Sequence, residues 1–322
     1  MTVFLITGAN GFLGRHLVNV LEPGKNRVYG VSRRIPGDLA SGHPDIIYEQ
    51  CNLIDQASVF AVLKKTRPDC IFHLAAESSV AASWKSPINI LNNNIISQVN
   101  IFETIRELEL STRVVVACSS EEYGLVRESD TPVNEKCCFN PLSTYAVSKV
   151  TQDMLAYQYY KSYTMDIVRV RSFNLTGPGQ SPGYALSSFA KQIADIEKGI
   201  SENTILVGNL NAKRDFTDVR DAARAYFNIA SKARAGEVYN LCSGKAYSLK
   251  ELLDFLVSLS TVEIKVEVDA SRFRPSDLPV MLGDNTKIRT GINWTPEIDI
   301  HDTLKDLLDH WRTYNRNQDT MT

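Results

Sequence analysis

The fold is decided by one stretch near the start of the chain, Val3-Phe4-Leu5-Ile6-Thr7-Gly8-Ala9-Asn10-Gly11-Phe12-Leu13-Gly14. Its first five residues are rich in β-forming side chains and predict a strand. After the glycines, apolar residues recur at helical spacing until Glu22-Pro23-Gly24. A strand, a glycine turn and a helix in this order let a pyrophosphate approach the backbone at the positive end of the helix. We therefore predict a nucleotide-binding loop of Gly8, Asn10, Gly11, Phe12, Leu13 and Gly14; a turn that binds nothing is the alternative.

The end of the second predicted strand indicates which dinucleotide is bound. Residues 28–31 form that strand, and Ser32 stands where a carboxylate would bind a free ribose 2′-hydroxyl. Arg33 and Arg34 follow, and arginines pair with a 2′-phosphate that an acidic residue would repel. We expect NADP(H) as the cofactor, with NAD(H) as the alternative if both arginines are only solvated.

Strands and helices continue to alternate along the first half of the chain. Further strands are predicted over 46–50, 70–74, 114–117 and 166–171, and helices over 58–65, 88–109 and 144–161. This alternation predicts an α/β fold with a Rossmann-type, doubly wound parallel sheet. Asn52 and Leu53 are expected to face the adenine, and Leu74, Ala75 and Ala76 to form a bed of small and apolar residues under the dinucleotide.

A phenol and an ammonium group are spaced for one face of a helix. Tyr145 and Lys149 lie four residues apart in a helix that is predicted to start at Thr144. A phenol ionises near pH ~10, and a neighbouring cation favours the phenolate and so lowers that pKa. Tyr145 is therefore a candidate acid or base, although most pairs with this spacing are solvated helix surface.

Polar side chains follow the fifth predicted strand, in the segment Cys118-Ser119-Ser120-Glu121-Glu122-Tyr123-Gly124. The carboxyl ends of strands line the ligand crevice of a doubly wound sheet, so these side chains should emerge beside the cofactor. Ser119 is expected to hydrogen-bond a substrate carbonyl while Tyr145 exchanges the proton.

The composition restricts the class of protein. The 322 residues are 43% hydrophobic and 22% charged, as in an ordinary soluble globular protein. With 35 basic and 37 acidic residues, no general field attracts nucleic acid or anionic lipid. Neither a signal-peptide pattern nor an apolar run of ~18 residues is present. The six cysteines lack metal-ligand spacing, which predicts reduced thiols, no metal site and a cytoplasmic location.

The glycine loop, the segment 119–124 and the Tyr145–Lys149 pair together resemble the extended short-chain dehydrogenase/reductase family, over essentially the whole chain. Within that family the chain is similar to the nucleotide-sugar branch that acts on GDP-hexoses. The resemblance implies that Tyr145 is the proton donor or acceptor. It implies that Lys149 holds the nicotinamide ribose and lowers the phenol pKa, and that Ser119 orients the sugar oxygen.

The resemblance also implies a homodimer through the helices at 88–109 and 144–161, whose apolar faces could equally be core. The chain departs from the family pattern at Asn52 and Ser97, where relatives usually carry aspartate and glycine.

The second half of the chain supplies candidate substrate groups by the same resemblance. The stretch Phe173-Asn174-Leu175-Thr176-Gly177-Pro178-Gly179-Gln180 resembles a turn of GDP-4-keto-6-deoxymannose reductases. Substrate contacts are implied for Ser120, Glu121, Asn174, Lys191, Arg214, Arg274 and Asp277. The two arginines would embrace the diphosphate, because a near-neutral protein needs local forked donors for that charge. A surface ion pair is the alternative for each arginine.

The chain is expected to form two intimately joined units. Residues 1–172, with parts of 215–245, are assigned to the NADP-binding Rossmann domain. Residues 173–214 and 246–313 are assigned to a smaller, discontinuous C-terminal α/β lobe that binds the nucleotide sugar. Residues 314–322 are expected to be a frayed polar tail.

Three reactions share these residues. In a reductase, NADPH delivers hydride to C4 of a GDP-4-keto-6-deoxyhexose while Tyr145 protonates the oxygen, giving a GDP-6-deoxyhexose such as GDP-D-rhamnose. In a GDP-mannose 4,6-dehydratase, Glu121 would remove the C5 proton, and in a 4-epimerase hydride would leave and return at C4. The glycine loop and the turn at 173–180 favour the reductase. A silent dinucleotide sensor or scaffold has no need of Ser119, Tyr145 and Lys149 together.

Overall fold

The computed structural model describes residues 1–33, 46–273 and 278–314. A sheet of seven strands, all of them parallel, forms its centre in the order β3-β2-β1-β4-β5-β6-β10. These strands are β1 (Val3–Thr7), β2 (Arg27–Ser32), β3 (Ile46–Gln50), β4 (Cys70–His73), β5 (Arg113–Ser119), β6 (Ile167–Ser172) and β10 (Val238–Leu241). The strand order reverses between β1 and β4, where the carboxyl ends of strands open a crevice. The predicted doubly wound sheet is confirmed.

Helices cover both faces of this sheet. They are α1 (Phe12–Val20), α2 (Gln56–Thr66), α3 (Val80–Lys85), α4 (Pro87–Leu91), α5 (Ser97–Glu107), α6 (Thr144–Tyr163), α8 (Val219–Lys232) and α10 (Thr286–Ile292). Leu17 and Tyr226 are buried in the core on one face, and Phe102 and Ala156 in the core on the other. The central strands are apolar on both faces because both are covered.

The glycine loop allows α1 to lie close against β1. A Cβ atom on Gly14 would stand 2.3 Å from the carbonyl oxygen of Gly8, so any side chain there would force the helix away from the strand. Gly8 itself has a φ of +75°, a conformation that favours glycine. The loop therefore needs glycine at both positions to hold its shape.

A smaller lobe is built from the second half of the chain. Its strands are β7 (Asn174–Thr176), β8 (Thr204–Val207), β9 (Lys213–Asp218), β11 (Ala246–Ser248), β12 (Lys265–Val268) and β13 (Val280–Met281). Its helices are α7 (Ala185–Glu197), α9 (Leu249–Ser258) and α11 (Ile300–Thr313). Strand β9 is flanked by β11, β13 and β7, and β8 pairs with β12. The three helices bury a separate core that includes Ile193, Leu252 and Leu307.

Two sequence predictions need correction. The helix predicted over 88–109 is divided, because α4 leads into a π-helical turn at Asn92–Ile96 before α5 begins. In that turn the Asn94 side chain hydrogen-bonds the backbone of Glu77 and the hydroxyl of Ser148. In addition, the core that contains Leu17 and Tyr226 also includes Ile288, Ile292 and Trp294, although the range of these three residues was assigned to the substrate lobe.

Three of the predicted site residues lie outside the described residues: Arg34, Arg274 and Asp277. The tail from residue 315 onward also lies outside them. Among the residues that are described, no helix has the length and apolar composition needed to cross a membrane. All six cysteines are free thiols, and four of them are buried.

Candidate active site

A cleft of about 230 Å³ opens at the carboxyl ends of β1, β2 and β4. Of the predicted cofactor residues, it is lined by Gly8, Ser32, Arg33, Asn52, Leu53, Ala75 and Ala76. Leu13 and Leu74 are partly buried and instead pack against the core that contains Leu17 and Tyr226. Sequence reasoning did not assign the other lining residues, which include Glu77, Asn93 and Ser97. Asn93 comes from the π-helical turn, whose geometry no sequence period indicates.

The glycine loop suits a pyrophosphate. Helix α1 starts after Gly11 without a side-chain cap, and no acidic residue in its first turn offsets the positive end of the helix. The Asn10 Oδ1 atom is buried and has no hydrogen-bond partner in the part of the chain that the structure describes. A Cβ on Gly11 would stand 3.1 Å from the Gly8 carbonyl oxygen, a tight contact that would require a small shift of the loop. These residues fit a dinucleotide at this position.

The far end of the cleft has no carboxylate at the predicted ribose position. Ser32 ends β2, and Arg33 follows with an exposed side chain at the cleft rim. The backbone carbonyl of Arg33 accepts a hydrogen bond from the Gln50 side chain, which ties the rim to β3. The exposed Arg33 guanidinium is the described candidate for contact with a 2′-phosphate.

Three catalytic candidates meet at the carboxyl end of β5. Ser119 is the last residue of β5, and Tyr145 and Lys149 lie on the first two turns of α6, which Ser143 caps through the Ala146 N–H. The Ser119 hydroxyl lies close enough to the Tyr145 phenol to affect its pKa. The Lys149 Nζ atom donates to the Ala117 carbonyl oxygen at 2.8 Å. The predicted phenol, hydroxyl and ammonium groups are therefore adjacent.

The predicted direction of the Tyr145 pKa is wrong for the ligand-free chain. Burial raises the pKa of Tyr145 above its usual value, and the charges of Glu121 and Glu122 add to that increase. The Lys149 ammonium lies 6.0 Å from the centre of the phenol ring and is committed to a carbonyl. Burial also lowers the pKa of Lys149. Desolvation outweighs the attraction that the four-residue spacing suggested, because both groups are buried.

In the segment after Ser119, Glu121 and Ser120 differ in burial. Glu121 is half-buried, and its carboxylate is close enough to Tyr145 to raise the pKa of the phenol. Its backbone N–H donates to the Ser119 hydroxyl oxygen at 3.2 Å. Ser120, a predicted substrate residue, is buried.

The other described substrate candidates, Asn174, Lys191 and Arg214, lie in two parts of the smaller lobe. Asn174 and Arg214 lie on the neighbouring strands β7 and β9, and the Asn174 amide donates to the Asp215 carbonyl oxygen at 3.2 Å. The Arg214 guanidinium donates to the carbonyl oxygens of Lys213 and Leu278. Lys191 is on α7, where it forms an ion pair with Asp195 at 2.6 Å and lies beside the Trp311 ring. Lys191 is thus held by protein groups in the helical layer.

A buried polar chain behind the site was not predicted. The Thr7 hydroxyl and the His73 Nδ1 atom are 2.9 Å apart, and the Ala75 N–H donates to the same hydroxyl. The Gln152 amide lies 3.4 Å from the other ring nitrogen of His73. Burial lowers the pKa of His73 to about 3, so this ring is neutral at physiological pH. The chain fixes the end of β1 against β4 and α6.

A second missed feature is a buried charge cluster under the catalytic candidates, formed by Glu122, Asp153, Arg169 and Arg171. Asp153 accepts from Arg169 at 2.8 Å and from Arg171 at 3.0 Å. The signal that could have revealed it is the sequence Ile-Val-Arg-Val-Arg-Ser of β6, because arginines in a central strand require buried partners.

Comparisons with known proteins agree with this geometry. A profile of the family described as GDP-mannose 4,6 dehydratase matches residues 5–307. The GDP-6-deoxy-D-mannose reductase of Pseudomonas aeruginosa is 29% identical over 313 residues, 97% of this chain and 98% of its own length. The GDP-mannose 4,6-dehydratase of Vibrio cholerae is 26% identical, covering 94% and 92%. The structure of RMD from Pseudomonas aeruginosa complexed with NADPH has a TM-score of 0.84 at 27% identity, covering 97% of this chain and 99% of that one.

Proposed function

The chain belongs to the GDP-mannose 4,6-dehydratase family, and from that premise we propose that it reduces the C4 ketone of a GDP-4-keto-6-deoxyhexose with NADPH. The product is a GDP-6-deoxyhexose such as GDP-D-rhamnose. A similar protein named as a GDP-6-deoxy-D-mannose reductase and a similar structure named as a complex with NADPH support this substrate and cofactor.

The observation that carries the proposal is the protonation state of the Tyr145 phenol, which lies beside Ser119. A reductase needs an acid that keeps its proton until the C4 oxygen gains negative charge. The raised pKa of Tyr145 keeps the phenol protonated, and the neighbouring Ser119 hydroxyl can act as a second donor. NADPH, when bound in the cleft, supplies the hydride that reduces C4. Ser119 then orients the ketone oxygen, Tyr145 transfers its proton to that oxygen, and Lys149 holds the nicotinamide ribose.

The test is a pair of incubations of the purified protein. One contains GDP-4-keto-6-deoxymannose with NADPH and the other contains GDP-mannose alone, with absorbance of the reduced nicotinamide and NMR of the products as readouts. We expect NADPH to be consumed only with the keto sugar, and the NMR spectrum to identify the C4 epimer. The proposal fails if the keto sugar is not reduced.

A dehydratase is the second candidate, because the Glu121 carboxylate lies near Tyr145 and dehydratases are among the relatives. In that case GDP-mannose would become its keto-deoxy derivative without net consumption of NADPH. The Glu121→Gln variant would then lose this conversion, since Glu121 would be the base that removes the C5 proton.

The preference for NADPH is expected to depend on Arg33. Replacing Arg33 with alanine should raise the KM for NADPH about tenfold to a hundredfold, as a charge-assisted hydrogen bond of roughly 1.5–3 kcal/mol is lost. The KM for NADH should change little, because NADH lacks the 2′-phosphate. The matched control is Arg27→Ala, which removes an exposed arginine from the opposite end of β2. Equal changes for both cofactors would contradict the assignment.

We propose that the enzyme is a homodimer formed through the outer faces of α4 and α6. Ile88 on α4 is 74% exposed, and Val147 and Met154, seven residues apart on α6, are 43% and 41% exposed. Met154→Glu should therefore yield a monomer in sedimentation experiments that find a dimer for the unmodified chain. Val268→Glu, at an exposed apolar residue of the smaller lobe, is the control and should remain dimeric.

We also propose a cytoplasmic location. All six cysteines are free, as is usual in a reducing compartment. Cell fractionation followed by detection of the protein would test this, and recovery in the secreted fraction would contradict it.

A further inference from the structure

The two adjacent glutamates after β5 have opposite environments. Both belong to the helical turn Ser120–Glu122, in which consecutive side chains point in directions about 120° apart. The Glu121 side chain is half-buried beside Tyr145, whereas Glu122 is completely buried. The reaction proposed above uses only groups on the cleft side and leaves Glu122 unexplained.

Glu122 holds the backbone of Ser119. Its Oε1 atom accepts a hydrogen bond from the Ser119 N–H at 2.8 Å, while the Ser119 hydroxyl accepts one from the Glu121 N–H. This reciprocal arrangement is a capping box. It determines where the Ser119 hydroxyl stands relative to Tyr145.

The remaining oxygen of Glu122 faces charged groups from β6 and α6 and a thiol from β5. Arg171 on β6 is 3.4 Å from the Oε2 atom, which has no hydrogen-bond partner among the described residues. Oxygens of Glu122 and Asp153 and the Cys118 Sγ atom lie within 4.8 Å of one another. The Lys149 ammonium, on the same helix as Asp153, lowers the pKa of Glu122. Burial and the Asp153 charge raise the pKa of Glu122 to about 8, and Arg171 opposes that rise.

The charge of Glu122 reaches both groups that handle the proton. When Glu122 is ionised, its charge raises the pKa of Tyr145 and the pKa of Lys149. When it is protonated, that influence disappears, and the carbonyl oxygen can still accept from the Ser119 N–H. Glu122 therefore combines a fixed contact with a variable charge.

We propose that Glu122 is a positioning residue of the catalytic site, which holds Ser119 at the end of β5 and adjusts, through its charge, how readily Tyr145 gives up its proton. The part concerning Tyr145 rests on the proposed reductase function; the part concerning the charge of Glu122 does not. An ionised Glu122 retains the proton on Tyr145 and so slows its transfer to the substrate.

The expected pH dependence follows from the raised pKa of Glu122. The folded state binds this proton more tightly than the unfolded chain, whose carboxyl titrates near pH ~4.5. The stability that Glu122 contributes is thus present below about pH 4.5 and is lost as pH rises through about 8. Over the upper part of this window kcat for reduction should fall as well.

The first experiment compares Glu122→Gln with the unmodified enzyme from about pH 6 to about pH 9. Glutamine keeps the acceptor for Ser119 but cannot ionise. The ratio of the variant's kcat to that of the unmodified enzyme should rise with pH through about 8, and so should the difference between their Tm values. The second variant, Glu122→Ala, loses the acceptor as well, and kcat should fall by up to about 100-fold with little change in the Kd for NADPH.

The matched control is Glu197→Gln. Glu197 is a mostly buried carboxylate that pairs with Arg312 at 2.8 Å in the smaller lobe, so this variant should lower Tm and leave the pH profile of kcat unchanged. If both Glu122 variants lower Tm but keep the kcat and pH profile of the unmodified enzyme, Glu122 is only a core residue and the proposal is overturned. The Tm measurement needs no substrate, so a Tm difference that does not vary with pH rejects the charge of Glu122 separately from any failure of the reductase assay.

Discussion

Replacement of Tyr145 with phenylalanine should lower kcat by about 10²- to 10⁴-fold, the usual contribution of a positioned general acid. The substitution removes one hydroxyl group and leaves the ring in its place on α6. Ser119 would lose the neighbouring phenol hydroxyl but would keep its hydrogen bonds with Glu121 and Glu122. Steady-state kinetics with the keto sugar measure kcat, and fluorescence titration measures the Kd for NADPH, which should remain nearly unchanged.

A matched control is available on the same helix. Tyr159 is also a buried tyrosine of α6, and its hydroxyl donates to Glu103 rather than facing the site. Tyr159→Phe should therefore retain kcat while it reduces stability. Unchanged turnover in Tyr145→Phe would assign proton donation to another group and reject the mechanism.

The largest effect on stability is expected from Asp153. Its side chain is completely buried and accepts from Arg169 through one oxygen and from Arg171 through the other. Asp153→Asn leaves the two arginine charges without their shared counter-ion, and breaking a buried ion pair costs about 3–5 kcal/mol. Chemical denaturation should show a decrease of that size in the free energy of unfolding.

The control for Asp153 is an exposed ion pair. Asp309, which is 52% exposed, pairs with Arg312 at 2.9 Å on α11. Solvent screens such pairs, so Asp309→Asn should change the unfolding free energy by no more than about 1 kcal/mol. If the two variants are equally stable, the buried cluster contributes no more than a surface pair.

The buried charge cluster around Asp153 interacts with the catalytic candidates through Glu122. Asp153 repels the charge of Glu122, and Glu122 bonds the backbone of Ser119. Asp153, which neutralises the two arginines of β6, therefore also affects Glu122, the residue that we propose to position the Ser119 hydroxyl. The proposed role of Glu122 would therefore couple stability to catalysis, because the cluster lies next to the end of β5.

The sequence alone determined the fold class and indicated the main candidate residues of the site. Hydrophobic period and glycine spacing are local properties, so strand, glycine loop and helix could be predicted from residues 3–21. The four-residue spacing placed Tyr145 and Lys149 on one helical face. Because parallel strands expose their carboxyl ends at one edge, the predicted topology also brought Ser119 and Ala75 to the same crevice as Gly8.

Only the tertiary structure decided the environments of these groups. The direction of the Tyr145 pKa depends on burial, which the α6 sequence does not contain. The π-helical turn at Asn94 depends on partners in other segments, Glu77 and Ser148. Likewise, Glu122 meets Asp153 and Arg171 only after β5, α6 and β6 pack together. Local patterns specify which element forms, whereas desolvation and charge pairing arise between residues that are distant along the chain, and those two effects set the chemistry of this site.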